Sequence, residues 1–96
     1  MIEVRLRTSE DPLAFDVTVR AGKGETCHRV TLSQEDYRRL TAGRGTPEAC
    51  VEAAFRFLLD REPKESILPR FDLMIIARYF PEFERALPRY LDEPLP

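Results

Sequence analysis

Apolar and charged residues alternate from the first positions of the chain. In IEVRLR, Ile2, Val4 and Leu6 fall on one side and Glu3, Arg5 and Arg7 on the other, which is the period of a strand with one buried face. The turn formers of TSEDP interrupt the pattern, and AFDVTVRA resumes it with Phe15, Val17 and Val19 on the apolar side. GKGE supplies two glycines for a reversal. TCHRVTL then places His28, Val30 and Leu32 on the apolar side of a third strand. Pairing Ala21 with Thr26 sets Val19 opposite His28, Val17 opposite Val30 and Phe15 opposite Leu32, with Thr18 facing Arg29 and Asp16 facing Thr31. A slip of one residue turns the apolar set outward, so the parity of this hairpin is strongly specified.

The period changes after Ser33. SQEDYRRL opens with an N-cap serine, has Asp36 where a capping box would hold Glu or Gln, and runs into TAGRG, where glycine takes a left-handed turn. GTPEACVEAAFRFLLDREP is the clearest helix. Thr46 caps it, Pro47 suits its first turn, Glu48 faces its positive end and Pro63 stops it. Val51, Ala54, Phe55 and Leu58 recur at helical spacing, and Cys50 and Phe57 widen the stripe into one that must cover the sheet. Asp72 is placed to cap a helix through LMIIARYF, and Pro81 to start another, PEFERALPRYL, that Pro88 shortens or bends. The tail from residue 92 to 96 is expected to fray. The whole predicts one α+β domain over 1–96: a three-stranded antiparallel meander in 1–32, packed on one face by three or four short helices in 33–91.

Composition narrows the chemistry. At 96 residues the chain is long enough for one unstapled core. Its longest aliphatic run, LMII, is far too short for a membrane span, and the alternating start is unlike a signal peptide. The expected compartment is the cytoplasm, with no membrane partner. Cys27 and Cys50 lie in different predicted elements and the chain has one histidine, so neither a zinc site nor a disulfide is expected. His28 itself is expected to pack. No phosphate loop, nucleophile elbow or cysteine–histidine arrangement is present, and no catalytic residue, cofactor or metal is assigned. The formal net charge is −2, unfavourable for nucleic acid as a whole. Thirteen of the fifteen basic residues are arginine, which suits bidentate recognition of phosphate or carboxylate and follows equally from codon bias.

FRFLLDREPKESIL followed by FDLMIIARYFPEFE resembles a group of small bacterial proteins that share FLL-x-RE-P-x-x-SIL, FDL and I-x-x-RYFPE segments. The likeness covers roughly residues 46–85. It implies a similar hairpin ahead of the block and brings no activity or site residue with it.

Two surfaces stand out as candidates. Arg78, Tyr79, Phe80, Pro81 and Phe83 gather aromatic rings and arginine around a proline, a composition favoured at protein interfaces. Arg5, Arg7, Arg20 and Arg29 share the polar face of the expected sheet with Glu3 and Asp16, either as a basic surface or as a solvated face with cross-strand ion pairs. No aromatic residue interleaves with these arginines to stack bases. The expected function is a small non-enzymatic module that binds an unidentified protein partner or associates with itself. The alternative is a ribbon-helix-helix DNA-binding regulator or antitoxin, with HRVTL as its strand, SQEDYRRL and GTPEACVEAAFRFLLDRE as its helices, and Arg29 and Thr31 facing bases.

Overall fold

The computed structural model describes residues 1–92. Strands β1 (Ile2–Thr8), β2 (Leu13–Arg20) and β3 (Glu25–Leu32) form the meander, followed by helices α1 (Gln34–Thr41) and α2 (Pro47–Leu59). A 3-10 turn at Lys64–Ser66 leads to strand β4 (Arg70–Asp72), then to helices α3 (Ile75–Tyr79) and α4 (Phe83–Asp92). The fold is α+β. Its sheet, however, has four strands in the order β1-β2-β3-β4, and β4 runs parallel to β3. The three-stranded antiparallel meander is therefore corrected to a mixed four-stranded sheet.

The hairpin register also differs from the expected one. Phe15 faces Val30, Val17 faces His28, Asp16 faces Arg29 and Arg20 faces Glu25, a shift of two residues. Two residues preserve parity, so the apolar face is the same in both registers and hydrophobic pattern does not choose between them. Charge does. The observed register sets Arg20 3.0 Å from Glu25 and Arg29 3.5 Å from Asp16. The loop becomes Ala21–Gly24, with Gly22 at φ 65° and Gly24 at φ 82°.

Asp72 does not cap the helix after it. It ends β4, where its carboxylate accepts from the Thr31 hydroxyl at 2.8 Å and from the Met74 amide at 3.1 Å. The expected helix through LMIIARYF shrinks to the five residues of α3, because the chain first joins the sheet. The Arg29 amide donates to the Pro69 carbonyl at 2.7 Å and the Leu73 amide to that of Thr31 at 2.8 Å. The expected caps at Ser33 and Thr46 are present: their hydroxyls accept from the amides of Asp36 at 3.0 Å and Ala49 at 3.1 Å. The left-handed residue ending α1 is Ala42, at φ 53°, with Gly43 next to it at φ 80°. Pro88 lies inside α4, which continues through it to Asp92. The rest of the expected frayed tail lies outside the described residues.

One core fills the space between sheet and helices. Phe15, Val17, Val19, Val30 and Leu32 of the sheet are fully buried beneath Val51, Ala54, Phe55 and Leu58 of α2. Phe57 points to the other side, where its ring meets Phe83 edge-on at 5.2 Å and Tyr90 at 5.8 Å. These contacts bind α4 to α2, and an ion pair from Arg39 to Glu84 ties α1 to α4. Among the described residues, no helix is long and apolar enough to cross a membrane.

Candidate functional site

The segment between α2 and β4 forms one side of a surface groove. Pro63 ends the α2 corner, the 3-10 turn follows, and Ile67 drops into the core while Leu68 points out. His28 holds that segment in place. Its Nδ1 lies 2.7 Å from the Leu68 carbonyl and its Nε2 lies 2.8 Å from the Thr26 hydroxyl. A carbonyl only accepts, so Nδ1 carries the proton, and in the neutral ring Nε2 accepts from Thr26. The imidazole is buried, 5.4 Å from the Phe55 ring. It packs, as expected, and also works as a strut. Lys64 is a second strut: it is buried, and its ammonium reaches the Lys23 carbonyl at 3.3 Å and Glu65 at 2.6 Å. Its hydrogen bond pulls the Glu65 carboxyl below the usual carboxylate range.

Between this segment and α3 lies a groove of about 390 Å³. Leu58, Ile67, Phe71, Ile76 and Phe80 are among the apolar residues that line it. Glu62 is the one carboxylate that lines it, and it is half-buried. Leu68 and Tyr79 also line it and stay 45% and 70% exposed, so two large side chains face water beside an apolar cleft.

The expected aromatic-proline surface divides here. Tyr79, Arg78 and Pro81 are exposed, and Phe80 is half-buried with its ring edge-on to Phe57 at 5.8 Å. Phe83 is fully buried. It belongs to the core and is withdrawn from the candidate surface. The sequence reading missed Leu68, Phe71 and Glu62. The signal for Leu68 was available: it forms an apolar pair with Ile67 just before Pro69, at a point where neither helical nor strand period is running, so the two neighbours cannot both turn inward.

The basic face of the sheet gathers as expected and gains one member. Cross-strand register aligns Arg5, Asp16, Arg29 and Arg70 in a single row over all four strands. Arg7 donates to Asp16 at 3.0 Å. That hydrogen bond pulls the Asp16 carboxyl below its ordinary range, and the charges of Arg7 and Arg29 act in the same direction. Arg20 is engaged with Glu25 at the hairpin end. Cross-strand ion pairs thus account for much of this face. Arg70 was not foreseen because β4 was not.

β3 is an interior strand, with β2 along its length and β4 on its other side from Arg29 to Thr31. A DNA-reading ribbon needs that second edge for the same strand of another chain. Among the described residues, no His, Cys, Asp or Glu side chains gather in a metal-binding group of three or more. No family model, curated protein or solved structure matches the chain.

Proposed function

We propose that this protein is a small, non-enzymatic interaction module that takes an apolar segment of a partner protein into the groove between Leu68 and Tyr79. The observation that carries this reading is the pair of exposed side chains at the rims of an apolar cleft. Large exposed apolar residues are common singly; flanking a preformed groove, they mark a binding surface. The cleft holds one or two side chains, and Glu62 favours a partner that presents an amine, guanidinium or amide N–H beside them. The ribbon-helix-helix alternative is less favoured, because among the described residues β4 occupies the second edge of β3 from Arg29 to Thr31, where Arg29 and Thr31 would have to read bases.

The test is site-specific photo-crosslinking in cells. A photoreactive residue at position 79 is expected to trap one discrete adduct, and the same residue at Glu35 on the exposed face of α1 is not. Leu68→Glu should abolish the adduct while circular dichroism and the thermal midpoint stay near the parent values. No adduct from position 79, or an adduct indifferent to Leu68→Glu, overturns the reading.

A further inference from the structure

β1 is one edge of the sheet and the longer of its two edge strands, with β2 on one side and no strand on the other among the described residues. Met1 and Arg20 exchange backbone bonds, Met1 N donating to Arg20 O at 2.5 Å and Arg20 N to Met1 O at 2.8 Å. Bonded and non-bonded pairs alternate along an antiparallel ladder. It follows that Glu3 and Arg5 turn their backbone groups toward β2, and Ile2, Val4 and Leu6 turn theirs outward. Leu6 is 40% exposed on the helix side, where Ile2 and Val4 are only half-buried. An exposed ladder beside a partly covered apolar row is a template for another strand.

We infer that this edge pairs with the same edge of a second copy of the chain, antiparallel and centred on Val4. The segment Ile2-Glu3-Val4-Arg5-Leu6 is complementary to its own reverse. About a two-fold axis at Val4, Ile2 meets Leu6 of the other copy, Glu3 meets Arg5, and Val4 meets Val4. Every apolar residue faces an apolar one and every charge faces its opposite; the Ile2–Leu6 and Glu3–Arg5 pairs each occur twice and Val4–Val4 once, on the axis, as an isologous contact requires. The backbone agrees: Val4–Val4 and the two Ile2–Leu6 pairs are those with outward amides and carbonyls, and they make six hydrogen bonds. Neighbouring registers fail. Centring on Arg5 or on Glu3 sets like charges opposite each other, and a shift of one residue sets charge against apolar. The register irregularity between Leu6 and Thr8 lies just past the last pair, so the bulge limits the ladder to five residues. Two copies thereby form one continuous eight-stranded sheet and cover Leu6. This contact is independent of the groove.

A mixed sample of labelled and unlabelled chains tests the pairing without any substitution. Glu3 and Arg5 are a non-hydrogen-bonded pair across the axis, so their Hα protons approach closely. An intermolecular Hα–Hα cross-peak between them is the expected result, with sedimentation velocity showing a dimer at high micromolar concentration. Glu3→Arg and Arg5→Glu should each weaken the dimer at least tenfold, and the double variant E3R/R5E should restore it. Val4→Pro, which removes an outward amide and leaves the β1–β2 ladder intact, should leave only monomer. A wild-type chain that stays monomeric at 0.5 mM (roughly the top of the working range for such interfaces) overturns the inference. So does a dimer that lacks the cross-peak.

Discussion

Single residues in this protein carry more than their pattern suggests, and Ala42 is the simplest case. It ends α1 in the left-handed region at φ 53°, with its amide bonded to the Arg38 carbonyl at 2.8 Å. An L-residue with a Cβ pays for that conformation, roughly 1–2 kcal/mol against glycine's lower steric cost, while glycine loses about 0.5–1 kcal/mol more backbone entropy on folding. The side chain is exposed, so nothing is lost in packing. Ala42→Gly is therefore expected to stabilise the fold by about 0.5 kcal/mol, which raises the thermal midpoint by about 2–4 °C in a domain of this size. A fall in the midpoint on differential scanning calorimetry would show that the αL position here is not strained. The same scale explains one misplaced aromatic. Phe83, Ala86, Leu87 and Tyr90 stand at helical spacing, so the period that put Phe57 in the core was present for Phe83 too. The grouping of rings around Pro81 drew it instead toward the exposed Tyr79.

At the scale of elements, what was legible followed the length of each periodic run. Three strands and three helices have seven residues or more each; the faces of the strands and the N-caps of α1 and α2 were legible, while α4 starts at Phe83 rather than Pro81 and runs through Pro88. β4 has three residues, too few to show a period, and exists because Asp72, Pro69 and Leu73 find partners on β3. Such long-range bonds leave no local trace. The two-residue register shift was hidden for a different reason: parity is blind to it, and only the Asp16–Arg29 and Arg20–Glu25 pairs distinguish the registers. The groove was illegible in proportion, since both its walls depend on the missed strand. That dependence gives a prediction about His28, the strut between β3 and the groove rim. His28→Ala removes two hydrogen bonds and a ring packed on Phe55, a loss of about 2–4 kcal/mol. The Arg29 amide, bonded to Pro69, should then exchange faster relative to amides of the β1–β2 ladder, because the rim detaches before the sheet opens. Thr26→Val keeps the Leu68 bond and should cost only about 1 kcal/mol. Uniform loss of protection over all amides in His28→Ala would mean that the rim has no separate equilibrium and that His28 serves the core alone.

The molecule as a whole is built around α2, which has the sheet on one side through Phe55 and α4 on the other through Phe57. If that helix joins both layers into one cooperative body, its interior should become accessible only when everything unfolds. The two cysteines report on this without any new substitution. Cys27 is exposed on the outer sheet face, and Cys50 is fully buried in α2. Burial also pushes the Cys50 thiol up to about 12, which removes the reactive thiolate from the folded state. With a thiol reagent at neutral pH, exposed Cys27 should label without any opening of the fold. Cys50 should be slower by the equilibrium constant for opening, about 10⁴-fold for a stability near 5–6 kcal/mol. The free energy derived from Cys50 labelling, measured by mass spectrometry, should equal that from urea unfolding. A smaller value would show that α2 opens locally while the sheet persists. Groove and sheet edge would then belong to separately melting halves, and partner binding at one would not stabilise the other.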